Sequence, residues 1–443
     1  MKRFIETLKN IWKIEDLRTR IINTLGFLLI YRLGSYVVIP GIDPSQLSAL
    51  KTQTSEGIMG LLDMFSGGAF SNASIFALGI MPYISASIVV QLLGIAIPYF
   101  QRLQREGESG RKKINQITRY LTVIILLLQA PGYLVNLRVQ LPESAFVLSG
   151  VFFTISSVII LTAGTMFVMW LGEKITDKGI GNGISMIIMI GIIARLPFAL
   201  VAEFGTRMDG AGGLVMLLVE LVLLFLVFVA VILLVQGTRK IPVQYAKRIV
   251  GNKQYGGVRQ YIPLKINAAG VMPIIFAQAL MFLPITAVSF ASSDALTGFA
   301  AAFSNFQGFW YNFTFGLLII VFTYFYTAIT VNPTQMAEDM KKNGGFIPGV
   351  KPGRKTVEFL DTIMSRITLP GSIFLAFVAI MPAFAMILGI NNQFAQFYGG
   401  TSLLILIGVV LDTLQQVESH LLMRHYDGLT KSGRIKGRSG STI

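Results

Sequence analysis

Ten stretches of the chain are apolar over about 18 residues or more, which is long enough for an α-helix to cross a lipid bilayer. Only 13% of the 443 residues are charged, whereas soluble proteins usually carry about 25%. The chain therefore has too little polar surface for a soluble protein of its size. These features predict an all-α integral membrane protein with ten transmembrane helices, at approximately 19–39, 73–98, 119–138, 147–172, 183–202, 213–236, 267–290, 309–331, 367–388 and 398–415.

The basic residues are distributed unevenly around these spans. Most of the 37 Lys and Arg residues lie in the two terminal segments and in the even-numbered connections. Because basic residues accumulate on the cytoplasmic side of a membrane, we expect both termini to be cytoplasmic. The net charge of +15 is then largely a signal of topology.

Ten spans divide evenly into an N-terminal half, residues 1–212, and a C-terminal half, residues 213–443. An odd number of spans per half inverts the second half relative to the first, and inverted repeats commonly enclose a transport pathway between them. Residues 1–20 precede the first span with apolar residues at helical spacing among lysines and arginines. A membrane-surface helix and a solvated helix both fit that pattern.

Three connections have unusual composition. The first outer connection contains the apolar segment IMGLLDMF at 58–65, followed by Ser and two glycines. It is too short to span a bilayer, so it is either a re-entrant segment inside the pathway or an interfacial outer helix. The cytoplasmic connections 237–265 and 332–366 combine basic residues with Gly and Pro, which shape projecting turns. They favour docking of a large partner over a role in topology alone.

The residues needed for most enzymatic sites are missing from the sequence. The chain has no Cys, and its only imidazoles are His420 and His425. The motif GIGNGIS at 179–185 lacks the spacing of a dinucleotide fingerprint and instead predicts a glycine turn between the fourth and fifth helices. No complete phosphate-binding loop is present either. We therefore predict no catalytic residues, no metal, no cofactor and no enzymatic activity.

Polar residues inside the spans are candidates for function, because burying them in lipid is costly. Arg32 and Glu220 are candidates for a pair across the halves, either as a structural contact, which is favoured, or as the ion relay of a secondary transporter. Ser85, Gln129 and Asn267 are candidates for a polar seam between helices that exchanges its hydrogen bonds for water when it opens. Ordinary helix packing explains the seam residues equally well.

The sequence resembles the SecY family, the channel subunits of the bacterial Sec translocon, nearly from end to end. The resemblance is carried by MFSGGAFSNASIFALGIMPYISASIVVQLL (64–93), GIGNGIS (179–185), YAKR (245–248), YIPLKINAAGVMPIIFA (261–277), NPTQMAEDMKKNGGFIPGVKPG (332–353) and FYGGTSLLIL (397–406). It implies ten helices in two inverted five-helix halves around a central hourglass pore.

The resemblance also implies roles for particular residues. The pore constriction is expected at Ile80, Ile84, Ile188, Ile275 and Ile405. The plug is expected over about 58–69, with Ile58, Leu61, Leu62, Phe65, Gly67 and Gly68. The lateral gate is expected at Ser85, Gln129 and Asn267. Docking of a motor or ribosome is expected at Arg248, Lys351, Pro352, Gly353 and Arg354, although the family commonly has Arg where this chain has Lys351.

The function implied is a passive protein-conducting channel in the bacterial inner (plasma) membrane. It would carry unfolded secretory proteins across the bilayer and insert membrane proteins sideways into lipid. The partners implied are small SecE- and SecG-like membrane subunits, a SecA-type motor ATPase, the ribosome and preproteins that bear signal sequences. A secondary transporter that uses Arg32 and Glu220 is the alternative.

Overall fold

The computed structural model describes residues 12, 14–47, 60, 63–148, 150–208, 213–245, 248–250, 253–255, 259–289 and 308–431. Most of the helix predicted over residues 1–20 lies outside these residues. Of its apolar positions, Trp12 is exposed and Leu17 is fully buried.

The described residues are mainly helical. In chain order the helices are α1 (Glu15–Gly34), α2 (Met81–Ala96), α3 (Pro98–Arg105), α4 (Glu108–Gln140), α5 (Val151–Lys178), α6 (Gly183–Met208), α7 (Gly213–Gln236), α8 (Met272–Ser289), α9 (Phe309–Thr330), α10 (Pro333–Lys342), α11 (Arg354–Ile387), α12 (Asn392–Ala395) and α13 (Gly400–Lys431). Each of the ten predicted spans contains one long helix, whereas α3, α10 and α12 are short connecting helices.

Seven helical segments in the described part of the chain are long and apolar enough to cross a membrane. An eighth span is present if α2 and α3 are counted together, since they are bent by 102° between Gly94 and Pro98. The first and seventh predicted spans contain α1 and α8. The predicted class, a helical multi-pass membrane protein, is therefore confirmed.

Two spans begin five or more residues later than the sequence predicts. The second was expected from residue 73, but residues 66–80 form successive turns and α2 starts at Met81. Ala73 and Gly79 have positive φ angles of 46° and 54°, which no residue within a right-handed helix adopts. The seventh span was expected from residue 267, but α8 starts at Met272, after Gly270 with φ 64°.

The chain forms two compact units. The first comprises Met1–Pro197 and Val409–Ile443, and the second comprises Phe198–Gly408. In the first unit, residues 39–47 and 69–78 pack against the C-terminal half of α4 and the N-terminal half of α5. The Tyr133 hydroxyl in this core donates a 2.9 Å hydrogen bond to the Phe70 carbonyl, which satisfies a buried backbone acceptor.

The second unit contains a small sheet that the sequence analysis did not predict. Its strands are β1 (Thr238–Tyr245), β4 (Arg259–Lys265) and β5 (Gly345–Phe346), and a separate hairpin joins β2 (Arg248–Val250) to β3 (Lys253–Tyr255). The strand order is β4–β1–β5, with both neighbours antiparallel to β1. Because β5 comes from the second basic connection, the two connections form one folded element.

A shared hydrophobic core stabilises that element. Ile241 and Val243 alternate with exposed residues along β1, as expected for a strand with one buried face. They pack with Leu264 of β4, Met340 of α10 and Leu360 of α11. The two connections predicted as docking protrusions are thus held in a fixed relation to each other.

Candidate functional site

We call residues 63–80, which precede α2, the anchored segment. It is buried, consists mainly of turns and is held by its own side chains. The Asp63 carboxylate accepts the Ser71 N–H at 2.8 Å, and the Ser66 hydroxyl donates to the Asp63 carbonyl at 3.1 Å. The same Ser66 oxygen accepts the Phe70 N–H at 3.0 Å. These bonds replace the helical ladder that the glycines interrupt, so the segment has a defined conformation without being a span.

Two arginines and a tyrosine tie this segment to α1 and α6. Asp63 forms an ion pair with Arg195 of α6, and Arg195 also donates to the Ser71 hydroxyl at 3.2 Å. From α1, Arg32 donates to the Gly67 carbonyl at 2.7 Å, and the Tyr31 hydroxyl donates to the Ser66 carbonyl at 3.0 Å. The segment is therefore anchored on two sides by charged or buried donors.

Glycine is required where the segment meets α6. A Cβ on Gly67 would lie 2.7 Å from the Cα of Gly191, which is closer than real Cβ atoms approach. Gly67 also has φ 66°, a conformation that only glycine adopts readily. Backbone contacts backbone here, and any larger residue at position 67 would push the segment away from α6.

The predicted plug overlaps this anchored segment. Phe65, Gly67 and Gly68 belong to it, and Phe65 is buried. Ile58, Leu61 and Leu62 lie outside the described residues. The described part, residues 63–69, is enclosed in the first unit rather than lying on its surface. A plug role for it stays a prediction.

Three predicted constriction residues lie in the first unit. Ile80 is the N-cap residue of α2 and is buried, and Ile84 lies one turn further and is half-buried. Ile188 is buried on α6. Because Ile188 precedes Gly191 by three residues and Arg195 by seven, all three lie on one face of α6, the face that contacts the anchored segment.

The other two constriction residues, Ile275 and Ile405, belong to the second unit. Ile275 lies in the first turn of α8 and is half-buried, and Ile405 lies near the start of α13 and is buried. Each is close to a helix N-terminus that follows a turn. The ring of five isoleucines stays a prediction.

The predicted gate residues occupy three different environments. Ser85 is half-buried on α2, which packs against α4, and Gln129 is exposed on α4. Within the described residues these two share no hydrogen bond. Asn267 lies in the turn before α8 rather than within that helix, and its buried Oδ1 has no hydrogen-bond partner among the described residues.

Glu220 has an arginine partner within the second unit. It pairs with Arg207 of α6, whose Nε also lies 2.8 Å from Glu203. Arg32 instead contacts Gly67 and, through a 3.1 Å hydrogen bond, Tyr36. Each of these two charges therefore has a partner inside its own compact unit.

The Arg207 cluster holds the chain before α13. Arg207 donates to the Gly389 carbonyl at 2.8 Å, and the Asn391 N–H donates to Glu203 at 2.7 Å. The Tyr398 hydroxyl donates to the Glu220 carbonyl at 2.8 Å. Sequence reasoning missed Arg207 because it lies beyond the predicted fifth span, 183–202, although Glu203 and Arg207 have the (i, i+4) spacing of a helical ion pair.

The predicted docking residues surround the start of α11. Lys351 and Pro352 are exposed, and the Arg354 side chain is 94% exposed. Gly353 has φ 101° and lets the chain turn directly into α11, while the Thr356 hydroxyl donates to the Lys351 carbonyl at 3.0 Å. Arg248 lies on β2, and its side chain is not among the described ones.

The glycine turn at 179–185 is confirmed between α5 and α6. Gly181 has φ 82°, and its N–H donates to Gln416 of α13 at 2.8 Å. The Ile180 N–H donates to the Thr24 hydroxyl of α1 at 3.0 Å. This turn therefore connects α5 to α6 and is held by side chains from the middle of α1 and of α13.

These features define a multi-pass helical membrane protein with a buried, side-chain-anchored segment between its first two long helices. Comparison with known proteins identifies the family. The SecY family model matches residues 74–414, and the protein translocase subunit SecY of Streptomyces scabiei is 44% identical over 436 residues. That alignment covers 95% of this chain and 98% of the relative. The chain belongs to the SecY family.

Solved structures of channels have the same fold. A SecY structure, whose plug domain is described as stabilising the closed state of the translocation channel and maintaining a membrane seal, matches with TM-score 0.62 and 17% identity. Sec61 from the canine ribosome-channel complex of the endoplasmic reticulum matches with TM-score 0.54 and 16% identity. Each match covers 95% of both chains.

Proposed function

We propose that this chain is the channel-forming subunit of a protein translocase. It conducts unfolded secretory polypeptides across the membrane and releases apolar segments sideways into lipid. It is a channel rather than an enzyme, so another protein or the membrane potential supplies the energy. The observation that carries this proposal is membership of the SecY family over 95% of the chain, together with the anchored segment before α2.

In this mechanism the anchored segment closes the resting channel. Its contacts with α6 comprise one ion pair, one hydrogen bond and the close approach of two glycines, which is a limited set of interactions. A translocating chain can therefore replace them and displace the segment. The apolar face of α6 that carries Ile188 then contacts the polypeptide.

The constriction that we propose contains Ile80, Ile84, Ile188, Ile275 and Ile405. Aliphatic side chains seal around a polypeptide without binding any of its side chains specifically. When the constriction is empty, its apolar surface disfavours water and so blocks ions by dewetting. The lateral gate that we propose contains Ser85, Gln129 and Asn267. The Asn267 Oδ1, which has no partner in the described part of the chain, is available for a new hydrogen bond when the gate rearranges.

The secondary-transporter alternative loses its principal support. That alternative uses Arg32 and Glu220 in ion coupling, but each of these charges has local partners among the described residues. Both sets of contacts hold backbone segments in place, which is the expected role of structural ion pairs.

We further propose that both termini are cytoplasmic and that the membrane is the bacterial inner membrane. The sheet β4–β1–β5 and the start of α11 then face the cytoplasm, where exposed Lys351 and Arg354 attract an acidic partner. A SecA-type motor or a ribosome docks there. Small SecE- and SecG-like subunits complete the complex in the membrane, and preproteins enter from the docked partner.

Cross-linking of a stalled substrate tests the proposed pathway. A photoreactive amino acid is placed at position 188 or 275, and a preprotein is arrested during translocation in vesicles that contain the complex. We expect both positions to cross-link to the arrested chain. Ile193, an exposed residue of α6, is the control and should not cross-link. Absence of cross-links at 188 and 275, with the chain arrested, would contradict the proposal.

A further inference from the structure

A cavity of about 830 Å³ opens beside the first turns of α11, within the second compact unit. Its lining combines β1, the loop before α11 and α11 itself. Four cationic side chains line it, namely Arg239, Lys351, Lys355 and Arg366. Glu358 is the only carboxylate among its lining residues. The cavity therefore carries a positive excess.

The positive excess is concentrated on three of these cations. Lys355 donates to Glu358 at 2.9 Å, and this hydrogen bond, with the charges of Lys355 and Arg354, lowers the pKa of the Glu358 carboxyl. Glu358 thus stays ionised and largely neutralises Lys355. Arg239, Lys351 and Arg366 have no ion pair within the described part of the chain. They are free to bind an anion.

The other wall of the cavity is apolar and continues along α11. Phe359, Ile363 and Ile367 line it. Beyond Arg366, the exposed residues Ile373 and Phe377 follow on the same side of the helix, seven and eleven positions later. At about 1.5 Å per residue this stripe is about 16 Å long, close to the depth of one hydrocarbon leaflet of about 15 Å.

We propose that this cavity binds the headgroup of an anionic phospholipid, whose acyl chains lie along the exposed stripe of α11. The inference rests on the proposed membrane placement of α11, with Arg366 at the cytoplasmic boundary. A lipid fits better than an acidic protein segment because the apolar wall runs on from the cation cluster into the membrane span. A cluster of cations at a membrane surface also attracts anionic headgroups from that leaflet.

Photoreactive lipids test this proposal on the complete purified complex in nanodiscs. One probe carries a phosphatidylglycerol headgroup and the other a phosphatidylcholine headgroup, and labelled peptides of α11 are quantified by mass spectrometry. We expect the anionic probe to label α11 preferentially. The double variant Arg239→Gln/Arg366→Gln should lower that labelling by about tenfold or more, because each cation near the surface contributes to headgroup binding.

The matched control is Lys240→Gln, because Lys240 is the exposed neighbour of Arg239 on β1 and does not line the cavity. It should leave labelling unchanged. Equal labelling by both probes, or no loss in the double variant, would overturn the proposal. So would displacement of the anionic probe by millimolar inorganic phosphate, which would indicate a phosphate site. A double variant that loses motor binding but keeps its labelling would indicate a protein-docking surface instead.

These outcomes are independent of the proposed channel function. If labelling is not selective but preproteins are still translocated, only the lipid site is wrong. If translocation is absent from the wild-type complex while labelling is selective, the channel function is wrong and the lipid site remains.

Discussion

Asp63→Asn should loosen the closed state of the channel by removing the ion pair that anchors the proposed plug. The Asp63 side chain is only 2% exposed, while Arg195 is 28% exposed and can recover part of its hydration. The Asn side chain still accepts the Ser71 N–H, so the turn itself survives. Hydrogen bonds to charged groups contribute about 1.5–3 kcal/mol to stability. Because Arg195 is partly exposed, we expect the seated plug to lose about 2 kcal/mol of stability relative to the displaced plug.

That loss corresponds to an approximately 30-fold shift of the equilibrium between seated and displaced plug. The assay is the open probability of the resting channel in planar bilayers that contain the purified complex. Thermal unfolding of each variant, measured in parallel, checks that the complex is intact. We expect the open probability to rise by about the same factor while it remains small.

A double-mutant cycle isolates the ion pair from other effects. Arg195→Gln should raise the open probability by a similar factor, and the double variant Asp63→Asn/Arg195→Gln should be no leakier than either single variant. If the single variants leave the open probability within twofold of the wild type, Asp63 and Arg195 do not hold the plug. Additive effects of the two substitutions would likewise contradict a direct pairing.

Three further predictions address the docking surface, the constriction and the topology. Lys351→Glu should weaken motor or ribosome binding without lowering thermal stability, because the side chain is exposed; unchanged binding would exclude a docking role. Ile188→Asn should raise the resting ion conductance, because its amide group favours water in the constriction. Ile188→Val should lower the free energy of unfolding by about 1 kcal/mol or less and leave the conductance nearly unchanged. Equal conductance in both variants would show that Ile188 is not part of the ring. The native chain has no Cys, so Asn343→Cys should react with an impermeant thiol reagent only from the cytoplasm and Glu143→Cys only from outside; the reverse pattern would invert the topology.

The positions of the membrane helices could be predicted from the sequence, because apolar length is a local property that a bilayer imposes directly. The starts of α2 and α8 could not be located in this way. Residues 73–80 and 267–271 fall inside the predicted spans, but they form turns in which Ala73, Gly79 and Gly270 have positive φ angles. The hydropathy of a segment contains no information about its backbone conformation.

The small sheet could not be predicted from the sequence for a different reason. Its strands are short, and β5 pairs with β1 although about 100 residues separate them, as the register Gln244 to Phe346 shows. Alternating burial along β1 is visible in Ile241 and Val243, but no local pattern identifies the distant partner. Long-range pairing of this kind depends on the tertiary structure.

The ion-pair partners of the buried charged residues could not be predicted from the sequence either. Asp63 is the only acidic residue in residues 58–69, and Arg195 is the only charged residue in the predicted fifth span. Those two facts mark both residues as candidates for function, because charges in membrane spans are costly. They do not reveal the pairing. Arg207 and Glu220 likewise lie on different helices, 13 positions apart, and no local sequence pattern identifies them as partners.

The most direct measurement is protein translocation in a purified system. The complex is reconstituted into sealed vesicles with its cytoplasmic face outward, and a radiolabelled preprotein is added with a SecA-type motor and ATP. We predict that full-length preprotein becomes protected from external protease only when the channel complex, the motor and ATP are all present. Absence of protection under these conditions, together with ion-coupled uptake of a small solute by the same vesicles, would contradict the account and favour a secondary transporter.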